Sequence, residues 1–139
     1  MMKVHEIHDD DLGAVIAVMP EYEASIYHSH YADTGIVLMC EDDSGICGVL
    51  SAECSIPIEM SMLRAHKYRC NIQHIWIRNE EAAELLIKEV TKFAARWQCV
   101  AIQYICTSGG YTAKVLEEQG YAMTKAVYRK EVQPNVASS

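Results

Sequence analysis

The sequence predicts one α/β domain of the mixed α+β kind, built on a single sheet, and three observations carry that prediction. Short apolar, β-branched runs of strand length recur along the chain. Among them stands one long segment, Ala82, Leu85, Leu86, Val90, Phe93, Ala94 and Trp97, with the three-and-four spacing of a buried helix face. The 139 residues, half of them apolar, suffice for one core and leave no room for two. The predicted order is β-α-α-β-β-β-α-β-α-β, with residues 1–132 forming the domain and residues 133–139 a flexible polar tail.

Val4 to His8 reads as a short strand, and Asp9 to Asp11 then cap a helix whose apolar face is Leu12, Val15, Ile16 and Met19. Pro20 restarts the chain, and a second helix runs from Glu21 to about Tyr31 with Tyr22, Ile26 and Tyr27 turned inward. Ile36 to Cys40 and Ile46 to Cys54 flank Glu41-Asp42-Asp43-Ser44-Gly45, so they form an antiparallel hairpin. Ser55 to Lys67 has no clear pattern, and Asn71 to Ile77 is the next strand. Asn79 stands where the long helix needs its N-cap. Val100 to Cys106 is a strand, Thr112 to Gln119 a helix closed by Gly120, and Tyr128 to Val132 the last strand.

The formal charge is −7, which argues against nucleic acid and against anionic membrane surfaces as partners. The charge is unevenly placed. Residues 1–60 hold twelve acids against Lys3 alone, and residues 61–139 hold eleven bases against seven acids. The six cysteines lack CxxC spacing and read as reduced, buried apolar groups. The N-terminal residues have no apolar secretory segment, and the longest apolar run, Ala14 to Met19, is far short of the ~20 residues that span a bilayer. A cytoplasmic protein is the expectation.

The element order, with a long helix between two apolar strands and a last helix ending in Glu117-Glu118-Gln119-Gly120-Tyr121, resembles the GNAT superfamily of N-acetyltransferases. The resemblance implies a largely antiparallel central sheet flanked by about four helices. It also implies acetyl-CoA as co-substrate, a cationic amine as acceptor, and pairing of two copies through sheet edges as a candidate assembly. In that family a loop at the start of the long helix wraps the pyrophosphate with backbone N–H groups, for which a helix N-terminus is suited. The corresponding stretch is Arg78-Asn79-Glu80-Glu81-Ala82-Ala83, in which Arg78 and Ala83 match the family pattern. The resemblance therefore assigns cofactor contacts to the backbone at Ile75, Ile77, Arg78, Ala82 and Ala83, with the Arg78 side chain turned to a phosphate.

Two positions depart from the family. Glu81 replaces the first glycine of the loop, with Glu80 before it. Each carboxylate near a pyrophosphate costs on the order of 1 kcal/mol at about 4 Å in water. Their alternative role is to complement the helix dipole. Leu116 stands where many relatives carry the tyrosine that reprotonates the thiolate, and Tyr111 is the candidate substitute. For taking the proton from the amine the candidates are Glu53 and His74, each also readable as a structural residue. Cys106 is a candidate thioester contact or a core thiol. His28 and His30, and Cys40, Cys47 and Cys54, lack the spacing of a closed zinc site, so no metal is expected. The departures also leave open a catalytically degenerate GNAT-like binding module that does not use acetyl-CoA.

Overall fold

The computed structural model describes residues 2–56, 68–105, 111–124 and 127–132. Seven strands form one sheet: β1 (Lys3–Glu6), β2 (Gly35–Asp42), β3 (Gly45–Ser55), β4 (Arg69–Ile77), β5 (Ala101–Ile105), β6 (Ala122–Thr124) and β7 (Val127–Glu131). The helices are α1 (Leu12–Val18), α2 (Glu23–Tyr31), α3 (Glu80–Arg96) and α4 (Tyr111–Glu118), with 3-10 turns at Asp9–Asp11 and Pro20–Tyr22. The spatial order is β1-β2-β3-β4-β5-β7-β6. Neighbours are antiparallel except β4 and β5, which the α3 crossover makes parallel.

The alternation of side chains across β2 and β3 builds two cores, one on each face. Val37, Met39 and Val49 meet Ile7, Leu12, Val15, Met19 and Ile26 under α1 and α2. Leu38, Cys40, Leu50 and Cys54 meet Ala82, Leu86, Val90 and Phe93 of α3, together with Val115 and Leu116 of α4. The close seat of α3 depends on Gly48, where a β-carbon would lie 2.7 Å from Leu86 Cδ1 and 3.3 Å from the Ala82 β-carbon. Asn79 caps α3 as its sequence position predicts, its Oδ1 accepting from the Ala82 N–H at 2.9 Å. Gly120 closes α4 with φ +90°, a left-handed conformation that other residues reach only with strain.

Three expectations are corrected. The N-terminal part of the second predicted helix is a separate 3-10 turn at Pro20–Tyr22, and α2 begins at Glu23. Only Ile26 of its predicted inner residues is buried, while Tyr22 and Tyr27 are 39% and 44% exposed. A short strand, β6, precedes the final one. The predicted strand end at Cys106, the stretch 57–67 and the tail 133–139 lie outside the described residues. The five described cysteines are buried and unbridged, with Cys54 and Cys99 sulfurs 3.3 Å apart. Burial and the neighbouring Cys47 push the Cys40 thiol up to about 12, as expected of unreactive core thiols.

Candidate active site

The site begins as an irregularity in β4. Ser51 of β3 pairs with His74, but the next residue, Ala52, pairs with Ile72, so Gln73 is an extra residue in the ladder. Such a bulge bends its strand and re-aims side chains. Here it places two successive residues on the α2 face. Gln73 Oε1 accepts from Ser25 Oγ at 3.3 Å and from Ser29 Oγ at 3.0 Å, while the His74 ring stacks on Tyr22 with centroids 3.8 Å apart.

The described pairing of β4 with β5 ends at the same point. It runs from Arg69 opposite Ala101 to Ile72 opposite Tyr104, and residues 106–110, which follow β5, lie outside the described residues. On the α2 side of these rungs lies a cavity of about 390 Å³ lined by Ser25, Asn71, Ile72, Gln73, His74 and Gln103. Partial burial lowers the pKa of His74 below its ordinary value, favouring the neutral imidazole.

Glu53 shares the α2-facing side of the sheet, opposite Asn71, and is hydrogen-bonded to His28 Nε2 at 2.8 Å. It stands beside the cavity wall and is not part of it. Of the sequence-predicted proton carriers whose side chains are described, His74 lines the cavity and Glu53 does not. Tyr111 opens α4, and its side chain, like all of Cys106, lies outside the described residues. Ile75 and Ile77 pack their side chains against the α3 core.

At the start of α3, Ala82 and Ala83 are fully buried. The Ala82 N–H is occupied by Asn79 Oδ1, and the Ala83 N–H donates to the Asn79 carbonyl at 3.3 Å. The amides that the helix itself cannot satisfy are those of the first turn, at Glu80 and Glu81. Glu80 is drawn sideways by Lys114 of α4, 3.1 Å away, and this partner raises the lysine pKa. Carboxylate oxygens of Glu80, Glu84 and Glu118 lie within 4.8 Å of one another, and the Lys114 ammonium stands among them as their cation. Arg78 is held by the β2–β3 hairpin, its Nη2 donating to Ser44 Oγ at 2.8 Å and to Asp42 Oδ1 at 3.5 Å. Asp42 Oδ1 also accepts from Ser44 Oγ at 2.6 Å and from the Ser44 N–H at 2.8 Å, and these bonds with the Arg78 charge hold the Asp42 carboxyl below its usual range.

Sequence reasoning passed over Ser25, Asn71, Gln73 and Gln103. A signal was present in Ile72-Gln73-His74-Ile75: two isoleucines that end on one core face are separated by three positions, an odd interval that an unbroken strand cannot accommodate.

No protein-family model matches this chain, and no curated protein does. Solved structures do. An acetyltransferase of the GNAT family from Streptococcus pneumoniae is similar with a TM-score of 0.70 and 14% identity, over 95% of this chain and 99% of that one. An N-acetyltransferase from Staphylococcus aureus gives 0.74 and 10%, over 94% and 98%. A Salmonella typhimurium structure with its cofactor acetyl-CoA gives 0.71 and 11%, over 99% and 98%. The fold of this chain is the GNAT acetyltransferase fold. No helix among the described residues is long and apolar enough to cross a membrane.

Proposed function

We propose that the protein is an acetyl-CoA-dependent N-acetyltransferase that moves the acetyl group directly to a small or peptidic primary amine. The observation that carries this reading is the cavity beside the β4 bulge, with His74 on its wall, in a chain of GNAT acetyltransferase fold. The first turn of α3 follows directly after β4. Acetyl-CoA would supply the activated acyl group, a thioester carbonyl carbon open to an amine. The chain would hold the two reactants together, which makes a bimolecular step effectively unimolecular. A backbone N–H of β4 from Ile75 onward would stabilise the oxyanion. His74, held neutral by burial, would take the proton that the attacking amine must lose. The acids of residues 1–60 favour the approach of a cationic amine, and the five unbridged cysteines support a cytoplasmic setting. Incubation with acetyl-CoA and a panel of amines should release free thiol and yield an acetylated product by mass. Thiol release no faster than acetyl-CoA hydrolysis with every amine would remove the reading.

A second reading has its own observations: the Asn79 carboxamide on the Ala82 N–H, Arg78 held by Asp42 and Ser44, and two carboxylates at the helix start. A GNAT-like module that has ceased to bind acetyl-CoA would look like this. It predicts no acetyl-CoA binding by the wild type and a gain of binding in Glu81→Gly.

A further inference from the structure

The cavity beside the bulge presents three carboxamides, Asn71, Gln73 and Gln103, and no carboxylate among its described lining residues. Two of these amides have one end already committed. Gln73 Oε1 accepts from two hydroxyls of α2, and one of them, Ser29, is fully buried, so the amide plane is anchored. The end left for the cavity is the Nε2 donor. Asn71 is committed the other way: its Nδ2 donates to Ser55 Oγ at 3.1 Å, which leaves Oδ1 as an acceptor.

We propose that this donor at Gln73 and acceptor at Asn71 read an amide group on the acceptor substrate, so that the preferred amine is an α-amino amide such as a peptide N-terminus. The inference rests on the acetyltransferase reading above and names its substrate class. An amide offers one C=O and one N–H, the complement of what the cavity leaves open. A simple alkylamine or polyamine offers neither group beside its nitrogen, and would leave these two polar ends unmatched by the substrate. A free amino acid offers a carboxylate, which satisfies Gln73 but sets an oxygen against Asn71 Oδ1. It must also approach past the acids that dominate residues 1–60. Ser25 and Ser29 act as positioning residues, since they fix which end of Gln73 faces inward.

The test compares alanine N-methylamide, alanine and isopropylamine as acceptors, three molecules that differ in the group beside the amine. The N-methylamide should exceed both others in kcat/KM by about tenfold or more. Gln73→Glu, which keeps an acceptor for the serines and replaces the donor with a second acceptor, should reduce the preference for the N-methylamide over isopropylamine, read as the ratio of their kcat/KM values, about tenfold. Ser29→Ala should move this ratio in the same direction, and serves if the first variant proves unstable. Equal kcat/KM for the three acceptors, or equal losses on all of them in Gln73→Glu, would overturn the proposal. Binding of the N-methylamide and of isopropylamine is also followed by the shift of the Gln73 side-chain amide resonances. Selective binding of the N-methylamide without acetyl transfer would uphold the amide site while removing the acetyltransferase reading, and failure of the N-methylamide to bind at all would overturn the amide site.

Discussion

Tyr22 lies flat against His74, with ring centroids 3.8 Å apart and planes inclined by 19°. The contact joins the turn before α2 to the bulged strand, and it gives an exposed tyrosine a reason to sit where sequence patterning placed it inside. The stack covers one face of the imidazole and contributes to keeping it from water.

A pH dependence follows from that burial. Folded His74 titrates below the ordinary histidine value of about 6.5, so just below that pH the unfolded chain takes a proton that the folded chain refuses. Stability contributed at this site is therefore full above about 6.5 and declines as pH falls from there toward the lower folded pKa. Thermal melts of wild type and His74→Gln should differ most in slope below that pH, the variant losing less stability on acidification. The acid limb of kcat/KM should also fall below 6.5. Parallel stability profiles for the two proteins would contradict the assignment.

The seat of α3 makes a second prediction. Gly48→Ala should destabilise the fold by about 1–3 kcal/mol, because Leu86 Cδ1 occupies the space the new methyl needs. Leu86→Ala alone should cost about 2–5 kcal/mol, by leaving a cavity in a fully buried position. Combined, the two should cost less than the sum of the single changes, since the added methyl then enters the vacated space. Denaturant unfolding of the three variants reads this directly, and strict additivity would argue against the contact.

The boundaries between what was and was not legible follow from range. α3 was readable because its apolar spacing and the Asn79 cap are local, and the β2–β3 hairpin because Asp42 to Gly45 make the turn on their own. β6 escaped because its three residues, Ala122–Thr124, are defined only by pairing with β7. Tyr22 and Tyr27 were misplaced because helical spacing was carried across Pro20–Tyr22, where the chain makes a tighter turn. At the site, the strand carrying His74, Ile75 and Ile77 was found, whereas Gln73 was not. Its role depends on a bulge and on two serines more than forty positions away in the chain. The engagement of Arg78 by Asp42 and Ser44, likewise long-range, had no local signature.

That engagement yields a third prediction. The hairpin and a bound pyrophosphate would compete for the Arg78 guanidinium. Asp42→Asn should weaken the hairpin's hold and tighten acetyl-CoA binding severalfold, most visibly at low ionic strength. Calorimetric Kd values for the two proteins decide it, and an unchanged or weaker Kd in Asp42→Asn would exclude competition at this residue.

On the proposed reading, acetyl-CoA lies along β4 and the first turn of α3 despite Glu80 and Glu81. Lys114 already answers the first of these carboxylates. Calorimetric titration of acetyl-CoA into the wild-type protein is the most direct test. Saturable binding that protects the protein against heat and is abolished by Arg78→Glu is the expected result. Absence of both heat and thermal protection at millimolar acetyl-CoA would contradict it.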